Sequence, residues 1–180
     1  MRSFSTVLFV AVALLMNGPA FAQTPAASPS AQPAAGGTPE QMPFATPYGT
    51  SITADRAAQV VSVVLAEARK HPTWRFAISV VDASGDLVYF YKMDGTQLAS
   101  IRISEGKART AARFRRETRA FYNAFETGHH YVSTLDPTLV ASPGGFPLIE
   151  GGKIIGAVGC SGGTGDQDAT VCGAGAASVK

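Results

Sequence analysis

The spacing of hydrophobic and polar positions changes several times between residues 51 and 178, and each change marks a structural element. After the cap candidates Ser51 and Thr53, apolar residues recur at helical spacing until Pro72 ends the helix. Two short runs rich in β-branched and aromatic residues then flank Ala83-Ser84-Gly85-Asp86. Such runs around a Gly-containing turn predict a β-hairpin.

The second half repeats this order. Residues 98–125 predict one long helix, and residues 128–145 predict a loop region. The segment "FPLIEGGKIIGAVGCS" predicts a second hairpin that turns at Gly151-Gly152, and the chain closes on a helix over about 166–177. The order helix-hairpin-helix-hairpin-helix predicts an α+β fold, with an antiparallel sheet flanked by three main helices that cover one face.

The N-terminus indicates export. Arg2, the apolar run "VLFVAVALLM" and Ala20-Phe21-Ala22 are typical of a secretory signal peptide over residues 1–22, and a retained anchor is the alternative. The mature chain is expected to begin at Gln23 and to be periplasmic or secreted, with no membrane span. Residues 23–49 are rich in Pro and Ala and predict a flexible linker, which leaves 50–180 as a single domain.

Charge argues against a nucleic-acid-binding protein. The chain has 15 basic and 13 acidic residues, and loss of Arg2 with the signal peptide removes one base and no acid. A near-neutral domain lacks the basic excess that binds phosphate backbones.

The glycine-rich segment "GAVGCSGGTGDQDATVCGAGAA" could suggest a phosphate-binding loop, but its residues argue against nucleotide binding. It lacks a Walker lysine and the G-x-G-x-x-G spacing. Asp166 and Asp168 would repel a phosphate at the start of the last helix. Thr164 and Gln167 fit a capping box that satisfies the same N–H groups. We therefore expect a tight strand-to-helix joint.

The two cysteines leave a disulfide open. Two cysteines in an exported protein favour pairing. Cys172, however, lies about 10 Å along the last helix, and a bridge needs Cα atoms within about 7 Å. The sequence shows no further ligands at zinc-site spacing.

The second predicted helix carries the most distinctive surface. Lys107, Thr110, Phe114 and Phe121 line up at helical steps beside a stripe of arginines that includes Arg113. A cation, a hydroxyl and aromatic rings together suit a flat ligand with carboxylate tails, although a solvated basic face is the simpler interpretation. A third face of alanines and the small residues of the last helix predict close packing in a homo-oligomer.

Several segments resemble the GlcG/HbpS family, the haem-degrading domain family that also occurs as the C-terminal domain of PduO-type proteins. These are "VVDASGDLVYFYKMDG", "SEGKARTAA", "GGFPLIEGGKIIGAVGCSGGTGDQD" and "CGAGAA", which span roughly residues 51–178. The resemblance implies an α+β fold, oligomers, and haem or tetrapyrrole binding with redox activity or haem degradation in some members. It does not decide whether the chain is an enzyme. An accessory subunit or an enzyme for a small organic acid, without haem, is the alternative.

The resemblance also directs attention to particular residues. Its KA-x-T-A segment maps onto Lys107–Ala111, which makes Thr110 a candidate haem contact, with Phe114 against the ring and Lys107 and Arg113 on the propionates. A mid-helix threonine bonded one turn back is the competing interpretation. His129 and His130 are the alternative ligands, because imidazole commonly binds haem iron.

Overall fold

The computed structural model describes residues 44–180, which contain four α-helices and one four-stranded sheet. The helices are α1 (Ala54–Ala68), α2 (Ser100–Phe114), α3 (Arg119–Glu126) and α4 (Gly165–Ala177). The strands are β1 (Ala77–Asp82), β2 (Leu87–Lys92), β3 (Gly145–Glu150) and β4 (Lys153–Ser161), and a 3-10 helix covers His130–Thr134. The predicted signal peptide and all but the last six residues of the predicted linker lie outside the described residues.

The sheet is antiparallel throughout, with the strand order β2-β1-β4-β3. The predicted α+β class and the two predicted hairpins are confirmed. Gly85 and the Gly151-Gly152 pair have positive φ angles of 94°, 54° and 74°, which is the backbone conformation that these tight turns need.

Helices cover both faces of the sheet, whereas the sequence pattern predicted helices on one face. α1 and α4 pack on one side around a core that includes Val64, Ile78, Val158 and Val171. α2 packs on the other side, where Val81 and Ala157 meet the alanine face of the helix (Ala108, Ala111 and Ala112). The two central strands β1 and β4 are therefore almost entirely buried. The alanine face is buried against the sheet of the same chain and is therefore not available to a partner.

α2 approaches the sheet closely because glycines face it. A Cβ atom on Gly159 would lie 2.2 Å from the carbonyl oxygen of Ser104, and one on Gly145 would lie 2.5 Å from that of Lys107. Real Cβ atoms do not come so close, so only glycine fits at these two positions. This contact fixes the helix that carries the predicted haem residues.

The predicted long second helix is broken. α2 ends at Phe114, Arg115 adopts a left-handed conformation with φ 56°, and α3 begins at Arg119. Thr118 lies in the break and is bonded to the start of β3: its N–H donates to the Gly145 carbonyl (3.0 Å), and its Oγ1 accepts from the Gly145 N–H (2.9 Å). These long-range bonds redirect the chain where no Gly or Pro marks a break in the sequence.

The last residues of the predicted linker pack on the domain. The Tyr48 hydroxyl lies 3.0 Å from the carbonyl oxygens of both Ala112 and Arg113, at the C-terminal end of α2. Arg115 donates to the Phe44 and Thr46 carbonyls and lies over the Tyr48 ring. We call residues 44–48 the strap. Within 44–180, no helix has the length and apolar character to cross a bilayer.

Candidate functional site

Lys107 lies inside the protein rather than on its surface. Its side chain is 1% exposed, and its Nζ donates to Asp168 Oδ2 (2.6 Å) and to the Cys160 carbonyl (3.1 Å). Burial lowers the pKa of Lys107 and raises the pKa of Asp168, and the attraction between the two groups opposes both shifts. The pair links α2 to α4 and to the end of β4. This position gives Lys107 a structural role and does not present its ammonium group to a propionate.

Asp168 also organises the glycine-rich joint. Its Oδ1 accepts from the Gly163 N–H (3.0 Å), and Thr164 and Gln167 form the predicted capping box, which is confirmed. The N–H groups of Gly163, Thr164 and Gln167 are thus bonded within the chain, as a tight joint requires.

A disulfide joins Cys160 to Cys172, with the Cα atoms 5.7 Å apart, so the question left open by the sequence is answered in favour of pairing. Cys160 lies one residue before the end of β4, and α4 packs back against β4 and β3 after the joint. The rise of the helix therefore carries Cys172 towards Cys160 instead of away from it. Both are fully buried between α4 and the sheet.

Thr110 is covered by the loop that precedes β3. It is 2% exposed, and its Oγ1 accepts a hydrogen bond from the Val140 N–H at 3.0 Å. Gly106, one turn earlier, faces the Val140 side chain, which would lie 2.5 Å from a Cβ atom there. Thr110 is therefore used to hold residues 138–140 against the outer side of α2.

Arg113 is bonded to two loops. Its Nε donates to the Ser84 carbonyl (3.1 Å), and its Nη1 lies 3.4 Å from Asp136 Oδ2. Hydrogen bonds from Thr138, together with the Arg113 charge, hold the pKa of Asp136 below its ordinary value. The Arg113 side chain remains 42% exposed, so its free edge can still bind an anion.

Phe114 belongs to an aromatic cluster at the break between α2 and α3. Its ring packs edge-on against Phe121 at 4.9 Å. The Arg116 guanidinium lies between the rings of Phe44 and Phe121, at 4.6 and 4.7 Å. Burial lowers the pKa of Arg116, and interaction with the Tyr131 hydroxyl group partly opposes this shift. Arg116 Nε is buried and has no hydrogen-bond partner among the described residues.

His129 and His130 are exposed at the far side of this cluster. His129 Nδ1 lies 3.1 Å from Thr127 Oγ1, which leaves its Nε2 open to solvent. The His130 ring packs edge-on against Phe125 at 4.6 Å, and Tyr131 lies 6.2 Å from the His129 ring. An imidazole held by one nitrogen and open at the other is suited to ligate a metal.

The six predicted residues thus separate into two groups. Lys107 and Thr110 are buried and bonded to the protein itself. Arg113 and Phe114 lie at the end of α2, before the α2–α3 break, and the two histidines lie in the segment that follows α3. Three clefts of about 300 to 380 Å³ open on the surface of residues 44–180, and none of the six predicted residues lines any of them. Among these same residues, no group of three or more His, Cys, Asp or Glu side chains could hold a metal ion.

Sequence reasoning missed the partners that decide these roles. Asp168 was interpreted only as a helix-start acid, and its burial depends on Gly144, where a Cβ would lie 2.7 Å from the Asp168 Cβ. Nothing in the sequence distinguishes Arg116 from the other arginines of the second predicted helix, and its place between two rings depends on Phe44 of the strap. Both signals are long-range contacts, which spacing along the chain does not encode.

Comparison with known proteins agrees with this fold. A family model described as "Haem degrading protein HbpS-like" matches residues 52–177. Protein GlcG of Escherichia coli (strain K12) is 39% identical over 105 residues, which cover 58% of this chain and 77% of that protein.

Two solved structures share the architecture. A double mutant of Streptomyces reticuli HbpS is 25% identical and has a TM-score of 0.67, covering 87% of this chain and 99% of that one. PduOC, solved as a haem complex, is 24% identical with a TM-score of 0.66, covering 73% of this chain and 96% of that one, and this likeness concerns the fold. Because the family model spans residues 52–177, well over half of the chain, the chain belongs to the HbpS-like family, which its sequence motifs also resemble.

Proposed function

We propose that this protein is an exported haem-binding protein. The observation that carries the proposal is its membership of a family described by haem degradation, over residues 52–177. The haem complex of PduOC, which has the same fold, adds support. Export rests on the signal-peptide pattern of residues 1–22. The buried disulfide supports it as well, because disulfides persist in oxidising compartments.

The haem surface that we propose consists of Arg116, Phe125, His129, His130 and Tyr131. Phe125 and Tyr131 are 40% and 62% exposed, so they offer apolar area without any change in the core. Haem has a flat apolar ring and two anionic propionates, and exposed aromatic rings beside arginines match both features. Arg113, at the neighbouring edge, supplies a second cation for a propionate.

His129 is the residue of this surface that would ligate the iron of a bound haem. Its Nδ1 is engaged by Thr127, which fixes the orientation of the ring, and its Nε2 is free to bind iron. His130 is the second choice because its ring already packs against Phe125. The bound haem would supply the redox chemistry of its iron, while the protein residues hold and orient it.

In this proposal the α2 residues act only indirectly, by packing against residues that contact the haem surface. Phe114 packs on Phe121, which in turn contacts Arg116. Thr110 reaches a ligand only if residues 138–140 move away from α2, since the Val140 N–H occupies its hydroxyl oxygen. We therefore place the axial ligand in the segment after α3 and not on α2.

A haem titration of purified variants tests this site. We expect His129→Ala to lower haem affinity at least about tenfold and to shift the Soret band, since loss of an axial ligand changes the iron coordination. His71→Ala is the matched control, because His71 packs on Trp74 at the end of α1. Thr110→Ala and Phe114→Ala complete the set.

Two outcomes would contradict the proposal. If the double variant His129→Ala/His130→Ala titrates like the wild type while Thr110→Ala loses the Soret shift, the site belongs to α2. If the wild type binds no haem at micromolar concentrations, haem binding itself is wrong.

The export component is tested separately by N-terminal sequencing of secreted or periplasmic protein, which should begin at Gln23.

Haem degradation is the second candidate, favoured by the description of the family model. A haem-loaded sample treated with hydrogen peroxide or with ascorbate and oxygen should then lose its Soret absorbance faster than free haem and release iron. Retention of the band at the rate of an inert haem-binding protein would limit the function to binding.

A further inference from the structure

Strand β2 is an unusually apolar edge of the sheet. Its sequence is "LVYFYK", and β1 is its only neighbouring strand within residues 44–180. Leu87, Phe90 and Tyr91 are 49%, 36% and 38% exposed. An edge strand exposes a row of backbone N–H and C=O groups that can pair with another strand, and a long apolar edge invites such pairing.

The opposite edge of the sheet is protected. β3 carries Pro147 in its middle, which removes an N–H group from that strand. Proline and charged residues are the usual means by which edges resist pairing. Between its first and last residues β2 carries neither a proline nor a charge. The two edges of one sheet are thus built differently, and only β2 is suited to pairing.

The sheet is also incompletely covered next to β2. α2 packs on β1, β3 and β4, but it makes no comparable contact with β2. Phe90 pairs in register with Ser79, and Leu87 with Val81, so both point to the α2 side of the sheet. Both side chains are largely exposed there, at 36% for Phe90 and 49% for Leu87. An apolar strip therefore runs along β2 on this side.

Charge favours one orientation for a second strand. β2 begins directly after Asp86 and ends at Lys92, and both of these charged side chains are exposed. Within residues 44–180, neither Asp86 nor Lys92 has an ion-pair partner. An antiparallel copy of the same strand, centred near Tyr89 and Phe90, brings the Asp86 end of each strand beside the Lys92 end of the other. A parallel copy would place like charges together.

We propose that β2 is the interface for a second copy of this chain, which pairs antiparallel across a two-fold axis to form a continuous eight-stranded sheet. Leu87 and Phe90 of both copies then lie together in the valley between the two α2 helices. The sequence predicted a homo-oligomer from the alanine face of α2, and that face is buried inside the chain. The structure assigns assembly to this edge instead, independently of haem.

Sedimentation velocity over a concentration series tests the interface. We expect the wild type to dimerise, and we expect Phe90→Lys to weaken the dimer by at least about tenfold, because it places two like charges near the axis. The control is Ile149→Lys on the other edge strand, where Ile149 is 41% exposed and the dimer should be unaffected. Circular dichroism confirms that each variant is folded.

A charge-reversal cycle tests the orientation. Asp86→Lys and Lys92→Asp should each weaken the dimer, and the double variant Asp86→Lys/Lys92→Asp should recover most of the loss. A wild type that stays monomeric at all concentrations would overturn the proposal. So would a dimer that Ile149→Lys dissociates and Phe90→Lys does not, or a cycle in which the double variant shows the sum of the single losses.

Discussion

The attraction between Lys107 and Asp168 offsets the desolvation cost of each buried charge. Removing one partner therefore leaves an unpaired charge inside the protein. We expect Lys107→Met or Asp168→Asn to lower the free energy of unfolding by about 3–5 kcal/mol, as for other broken buried pairs. Chemical denaturation measures this loss. The double variant Lys107→Met/Asp168→Asn should lose less than the sum of the single variants, because no charge is left unpaired. Additive losses would show that the pair is not coupled.

The contact between Thr110 and residues 138–140 should depend on pH because Asp136 bonds Thr138. The pKa of Asp136 lies below its ordinary value of 3.8 because the folded state favours the carboxylate. The stabilisation it provides is therefore present above 3.8 and is lost as pH falls through the lower, folded-state pKa. We expect hydrogen exchange at the Val140 N–H, measured relative to the intrinsic exchange rate, to lose protection in that range.

The variant Asp136→Asn is the control for this prediction, since its side chain does not titrate. It should already show reduced protection at neutral pH and no further step on acidification. Equal acid dependence in both proteins would assign the effect to another group.

At the level of elements, the disulfide fixes α4 to the central strand β4. The bridge closes a loop with a sequence separation of 12. A loop near this size corresponds to a stabilisation of about 3 kcal/mol. We expect Cys160→Ala/Cys172→Ala to lose about that amount or more in chemical denaturation, because it also removes buried sulfur atoms. Reduction of the wild type in denaturant, followed by refolding under reducing conditions, should give a similar loss. If neither change alters stability, the bridge does not hold α4.

The sequence predicted the elements whose signals are local. Glycines marked both hairpin turns, and Thr53 and Thr164 marked the helix starts, because these choices depend on neighbouring residues. The break after Phe114 was not predictable, since Arg115 has no turn-forming character and Thr118 is held by Gly145, far along the chain.

The candidate site shows the same division. Helical spacing correctly placed Lys107, Thr110 and Phe114 on neighbouring parts of one helix. It could not show that the loop at Val140 covers Thr110, or that Asp168 draws Lys107 inward. The histidines, which sequence reasoning ranked second, are the exposed members of the set. Their accessibility follows from the tertiary path after α3 and not from any pattern of spacing.

At the scale of the whole molecule, the strap joins the N-terminal segment to the end of α2. The single Tyr48 O–H lies 3.0 Å from two terminal carbonyls of the helix and can donate to either, at a helix end that has no glycine cap. We expect Tyr48→Phe to cost about 1 kcal/mol of stability, the usual value of such a hydrogen bond. Thermal and chemical denaturation measure it. Tyr91→Phe on the exposed edge strand serves as control and should be neutral in dilute, monomeric protein.

The strap has a practical consequence for anyone who shortens this protein. The family model begins at residue 52, so a fragment cut at that boundary would match the whole model and still omit Phe44 and Tyr48. Such a fragment would expose the face of Arg116 that Phe44 covers and remove the hydrogen-bond donor at the last carbonyls of α2. Arg116 is part of the surface proposed to hold haem. Weak binding by a trimmed fragment would then report the cut itself, because the contacts of the domain extend upstream of the boundary that the family model gives.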